Sequence, residues 1–149
     1  MGKKNRSKKA AESAQPEVVA VVGWFRIFSE TAPKWLPGIC ALIILILLLP
    51  MLAQAPQSGD SAEQVMVALR GGVLHAPGFP LQSWINRLFI HFPFEIPTRR
   101  LSLLSALGHS GAAFFIGMTA RRLGVSAIGV IAAEAAFAFF PPVWYQGVQ

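Results

Sequence analysis

Apolar positions along the chain gather into a few dense blocks divided by polar stretches rich in proline and glycine. The densest block runs from Ile39 to Ala53, ICALIILILLLPMLA. With its flanks (36–55) it approaches the ~20 residues that a membrane-spanning helix needs. Pro50 sits near its far end, where a kink is tolerated. A second block fills Leu101 to Ala120, and a weaker third runs from Val125 to Phe140, predicting spans over 101–120 and 124–141. Val18 to Phe28 is apolar but too short to span and is interrupted by Gly23 and Arg26. It reads as an interfacial helix within 18–35, with Trp24 and Phe25 at headgroup level. Between the first two spans, Leu81, Trp84, Ile85, Leu88 and Phe89 recur at helical spacing opposite Gln82, Ser83, Asn86 and Arg87. That pattern predicts an amphipathic helix lying on the membrane surface. Ala62, Val65, Met66, Leu69 and Val73 form another apolar face, broken at Gly71–Gly72.

Composition agrees with the blocks. Hydrophobic residues make up 54% of the 149 and charged ones 13%, with a mean hydropathy of +0.51. A soluble domain carries about 25% charged residues, so a wet surface all round is excluded. The net charge of +6 sits largely in Lys3, Lys4, Arg6, Lys8 and Lys9, within a polar tail (1–17) expected to be disordered. Such a tail suits nucleic acid or anionic lipid, and the apolar blocks decide for lipid. Seven basic residues precede the first span, and Arg121–Arg122 lie between the second and third. By the positive-inside rule the N-terminus is cytoplasmic, and 56–100 and 142–149 lie outside, in a multi-pass cell (inner) membrane protein. A secretory signal cleaved near Ala53 or Ala55 is the competing reading of the first span. Cys40 is the only cysteine, which excludes an intrachain disulfide and a thiolate zinc cluster.

The later spans are rich in small residues. Gly108 with Ala112, and Ala113 with Gly117, stand four apart, and the third span holds Ala127, Ala132, Ala133, Ala135, Ala136 and Ala138 around Glu134. Small residues let helices approach closely, and an intramembrane carboxylate faces protein or water. The expected architecture is therefore all-α and polytopic, with about three transmembrane helices plus interfacial ones. Its neighbours would be further helices of a larger bundle or a homo-oligomer.

The long outside loop carries the candidate chemistry. Asp60 followed by Glu63 fits an N-cap closed by a capping box. The same carboxylates, set just after a spanning helix, suit a general base and a divalent-cation ligand. His75 stands in HAPGFP, where Pro77, Gly78 and Pro80 force a turn; it reads as structural or as an acid or phosphate ligand. Arg99 and Arg100, at the start of the second span, read as headgroup anchors or as a guanidinium fork for a lipid phosphate.

The runs GDSAEQVMVALRGGVLHAPGFPLQSWINRLF, RRLSLLSALG and FPPVWYQGVQ resemble the opening of a domain-of-unknown-function family of multi-spanning proteins, related to protein O-mannosyltransferase-like membrane proteins of the GT-C glycosyltransferase superfold. Asp60 and Glu63 match the family's acidic pair; His75, Pro77, Gly78 and Pro80 match its turn. Arg100 matches the arginine at the next helix start, and Trp144 with Gln146 matches a later Trp-x-Gln element. Ala62, Ala76 and Ser102 depart from the usual glycine, proline and asparagine. The resemblance implies the N-terminal part of an inverting transferase that takes sugar from a polyprenyl-phosphate carrier outside the cytoplasm. It implies Asp60 as base, Glu63 in support, His75, Arg99, Arg100, Trp144 and Gln146 at substrate, and further helices beyond Gln149. A non-catalytic membrane scaffold, in which Asp60 and Glu63 only cap, and a transporter fragment using Glu134 are the alternatives.

Overall fold

The computed structural model describes residues 31–56, 60–76, 79–93 and 95–148. Its elements are helices: α1, Leu36–Leu48, continued by a 3-10 turn, Leu49–Met51; α2, Ser61–Arg70; α3, Pro80–Phe89; α4, Pro97–Arg122; α5, Ala127–Ala138; and α6, Pro141–Val148. No strand forms among the described residues, where an isolated bridge joins Thr31 to Ser126. The basic tail and residues 18–30 of the predicted interfacial helix lie outside the described residues. Residues 31–35 are not helical, which shortens that prediction. Pro33 lacks an amide hydrogen, and Ala32 is used elsewhere. Its N–H donates to the Val125 carbonyl at 3.2 Å, and its carbonyl accepts from Arg121 Nε at 3.0 Å.

The three predicted spans fare differently. α4 has 26 residues, about 39 Å at helical rise, and among the described residues is the one helix long and apolar enough by itself to cross a membrane. α1 is apolar all round, with Pro37 in its first turn, where a missing N–H costs nothing. It tightens at Pro50, and helix plus turn extend only about 25 Å, short of the ~30 Å hydrocarbon core. The third span is broken: α5 and α6 are bent by 68° and reach spanning length only when counted together. Pro141 and Pro142 cause the break, because neither offers an N–H to the carbonyls of Phe137 and Ala138 four residues back. The helix resumes at Pro141, with both prolines in its first turn, and runs on to Val148, past the predicted end of the span at 141.

α4 is the central helix, packing on α1, α5 and α6. Leu101, Ser102, Ala106, His109, Ser110, Ala113 and Gly117 are its buried face, at spacings of three and four. Ile44, Leu48 and Leu52 meet Ala106, Ala113 and Ala138 there, with Trp144 and Val148 at the margin. Of the two small-residue pairs, Ala113–Gly117 lies at a helix contact, whereas Gly108 is exposed. α2 and α3 pair with each other and rest on the start of α4 through Val65, Ala68, Ile90 and Leu101.

α3 sits opposite to a soluble amphipathic helix. Leu81, Trp84 and Leu88 are 74–75% exposed, while Asn86 is 2% exposed. Its apolar face points away from the protein and a polar side chain pins it. Gln82 Nε2 donates to Asn86 Oδ1 at 2.8 Å, and Asn86 Nδ2 donates to Gln64 Oε1 at 3.4 Å.

Candidate functional site

Asp60 stands at the N-cap of α2 and Glu63 lies in its first turn, as the spacing predicts. The capping box is not made. Asp60 has helical backbone angles, φ −75° and ψ −11°, and its side chain makes no cap hydrogen bond. Glu63 turns to the end of the loop instead. The His75 backbone N–H donates to Glu63 Oε1 at 2.7 Å, and His75 Nδ1 shares a 2.7 Å hydrogen bond with Glu63 Oε2. Asp60 Oδ2 lies 4.0 Å from His75 Nε2. One ligand atom from each of the three residues falls within 4.8 Å of the others.

The chain between them explains how His75 returns. α2 ends at Gly71 and Gly72, both left-handed at φ +79° and +122°, conformations that a side chain would strain. A Cβ on Gly71 would also come within 3.1 Å of Arg87 Nη2, so α3's arginine packs against this backbone. The double turn reverses the chain and lays His75 along the first turn of α2. Burial contributes little here: His75, Asp60 and Glu63 side chains are 51%, 63% and 37% exposed. The charge pattern is set by contact. The hydrogen bond from His75 lowers the Glu63 carboxyl below its usual range, and the same bond, with both neighbouring carboxylates, raises His75. The His75 ring thus lies between two carboxylates, one hydrogen-bonded to it and one facing it at 4.0 Å, an arrangement that favours its protonated form.

These groups offer two oxygens and a nitrogen to a divalent cation. A cation would have to displace the proton that His75 shares with Glu63, so the observed geometry favours a hydrogen-bonded pair beside a less committed Asp60.

The remaining predicted residues are placed elsewhere. Arg99, in the first turn of α4, pairs at 3.2 Å with Glu95 in the turn that precedes the helix. Arg100 donates from Nη1 to the Ile90 carbonyl and from Nη2 to the Glu95 carbonyl at 2.7 Å. It thereby holds the end of α3 and the following turn against α4. Trp144 stacks on Phe139, with ring centroids 5.3 Å apart, and meets the His109 ring edge-on at 6.5 Å. Gln146 lines a cleft of about 460 Å³ between α3, α4 and α6.

Three residues not assigned roles from sequence prove structurally central. Ser102 Oγ donates to the Val148 carbonyl at 2.7 Å and accepts from the Ala53 N–H at 3.0 Å, tying together the end of the α1 segment, α4 and α6. Asn86 links α3 to α2. His109 is buried in α4, and its Nε2 has no hydrogen-bond partner. A histidine inside an apolar block is as informative as Glu134, and that was the signal available in the sequence.

The family model for the protein O-mannosyl-transferase TMEM260 N-terminal domain matches residues 60–149, beginning at Asp60. Protein O-mannosyl-transferase TMEM260 of Mus musculus is 33% identical over 123 residues, covering 82% of this chain and 15% of that protein. Protein O-mannosyl-transferase tmem260 of Dictyostelium discoideum is 31% identical over 133 residues, covering 83% of this chain and 16% of its own length. The chain therefore spans about a sixth of the curated relatives it matches. No solved structure matches it. Asp60, Glu63, His75, Arg100, Trp144 and Gln146 all fall inside the matched region, and on these similarities the chain belongs to the TMEM260 N-terminal domain family.

Proposed function

We propose that this chain is the N-terminal part of a membrane glycosyltransferase that moves a sugar from a polyprenyl-phosphate carrier to an acceptor hydroxyl on the extracytoplasmic face. The observation that carries the reading is the Asp60–Glu63–His75 constellation at the start of the family-matched region. The relatives are named O-mannosyl-transferases, which points to mannose as the sugar and a hydroxyl oxygen as the acceptor atom.

Asp60 is the base. Its carboxylate is exposed and keeps only a 4.0 Å contact with His75, so it is open to an acceptor hydroxyl. Glu63 is engaged with His75 and positions it. As the acceptor oxygen forms its bond to the sugar carbon, its proton passes to Asp60. The carrier phosphate departs with the bonding electrons from the opposite face, giving inversion. Arg99, half-buried and paired with Glu95 at the start of α4, would meet the phosphate charge that develops by releasing that pair. Arg100 holds the turn that presents it. The outward apolar face of α3 keeps the loop on the membrane, in register with a lipid-borne donor.

Asp60→Asn in the full-length protein tests the base. Transfer should fall about 10²–10⁴-fold with folding unchanged; unaltered transfer would sink the assignment. Asp60→Ser separates this from the scaffold alternative, because serine also serves at an N-cap. Lost transfer with retained stability supports the enzyme.

A further inference from the structure

The cleft between α3, α4 and α6 has a lining unlike the acidic site. Its polar groups are Gln82, Ser105, His109 and Gln146, and no carboxylate, lysine or arginine lines it. Its volume of about 460 Å³ lies within the ~300–1,000 Å³ of small-molecule sites. At its floor, His109 is 7% exposed, and its Nε2 is buried without a partner. A buried group left in this state is costly, which favours a ligand that can pair with it. The α6 backbone is brought onto this ring: a Cβ on Gly147 would lie 2.7 Å from His109 Nδ1. On the open side, a Cβ on Gly108 would meet nothing within 4 Å. Gln82 at the rim is fixed through Asn86 to Gln64 on α2, the residue that follows Glu63, so the cleft and the acidic site are both braced on the first turn of α2.

The geometry points to a second binding site in this cleft, for an uncharged, hydroxyl-bearing ligand such as a sugar head group. Neutral donors and acceptors at the rim match hydroxyls, and the lack of a fixed cation disfavours phosphate. Ile85, Leu104, Phe137 and Val143 supply the apolar wall against which a sugar ring packs. The inference rests on the glycosyltransferase reading for its choice of ligand. The hydroxyls belong either to the donor's sugar or to the acceptor and its glycosylated product.

The test uses detergent-solubilised full-length protein and methyl α-mannoside, read by saturation-transfer NMR, with methyl phosphate as the charged control. The mannoside should give a transfer signal and the phosphate should give none. Gly108→Leu, which fills the open side, and Gln146→Leu, which removes rim polarity, should each cut the signal at least fivefold. Asp60→Asn should keep it while losing sugar transfer, so the cleft and the base assignment fail separately. Displacement by a polyprenyl-phosphate-linked mannose identifies the donor as occupant, and displacement by a hydroxyl-bearing peptide identifies the acceptor. The proposal is overturned if the mannoside gives no signal, if either leucine variant binds as wild type, or if Gly108→Leu does not fold. That last outcome would show the cleft already filled by the protein's own helices.

Discussion

Glu63 and Glu134 are two glutamates in opposite circumstances. Glu63 is partly exposed and has both oxygens engaged by His75. Glu134 is 1% exposed, with neither oxygen hydrogen-bonded, and lies between α5, Gly117 of α4 and Pro37 of α1. Water could satisfy the first carboxylate, yet a loop has been bent to reach it. The second is sealed away, and only space has been made for it. The contrast separates two uses of an acidic residue: Glu63 organises a surface through contacts, whereas Glu134 dictates which neighbours can be small. In the family-matched region the contact-rich carboxylate belongs to the candidate chemistry and the isolated one belongs to packing.

Enlarging Gly117 attacks the packing side most strongly. An added Cβ would stand 1.8 Å from Glu134 Oε1 and 3.0 Å from the Pro37 Cβ. Gly117→Leu should abolish folded protein, measured as monodisperse yield in detergent. Gly117→Ala should cost about 1–3 kcal/mol through overpacking. Adding Glu134→Ala should recover part of that loss, with a coupling of about 0.5–3 kcal/mol in a double-mutant cycle. Strict additivity would show that the two residues do not touch. Ser102→Ala comes next. It removes both hydroxyl hydrogen bonds, but the Ala53 N–H keeps its own 3.2 Å bond to the Val148 carbonyl, so unfolding should become easier by only about 0.5–1.5 kcal/mol, read from denaturant titration.

Changes on the contact side should be smaller and local. His75→Ala should leave the melting temperature of the protein nearly unchanged while amide exchange across 71–76 accelerates; a global drop in stability would contradict the distinction. The pH dependence carries a definite sign. Glu63 is lowered, so its share of the tether is present above the unfolded carboxyl value of about 4.3 and fades as pH falls through the folded one. His75 is raised, so its share is complete below about 6.5 and is lost as pH rises through its folded value. Loop protection, corrected for intrinsic exchange, should therefore peak in mildly acidic solution and decline above neutrality. A flat profile would remove the ion pair from the account.

Helical periodicity made α3 and α4 legible, because their patterns are long and each is opened by a proline. The same reasoning placed Asp60 and Glu63 at the start of α2. It assigned Glu63 to a capping box because a local partner is all that spacing reveals; the actual partner lies 12 residues on, beyond two left-handed glycines. Periodicity also ran the third span straight through to 141, although Pro141–Pro142 withdraws two helix donors and bends the chain there. The inward Asn86 shows a further limit. A helical wheel gives two faces, but which one meets the protein depends on whether lipid or core lies opposite, and that is a tertiary fact.

Ser102 adds a constraint of timing. Its hydroxyl joins partners 49 residues upstream and 46 downstream, Ala53 and Val148. On a ribosome adding about 5–20 residues per second, the downstream partner emerges at least two seconds after Ser102 itself. α1 and α4 must therefore settle against each other while this junction is unfinished, and the Ala53 amide waits for its final neighbour until the end of α6 arrives. The seam closes only when the latest-made of its three segments, the end of α6, arrives.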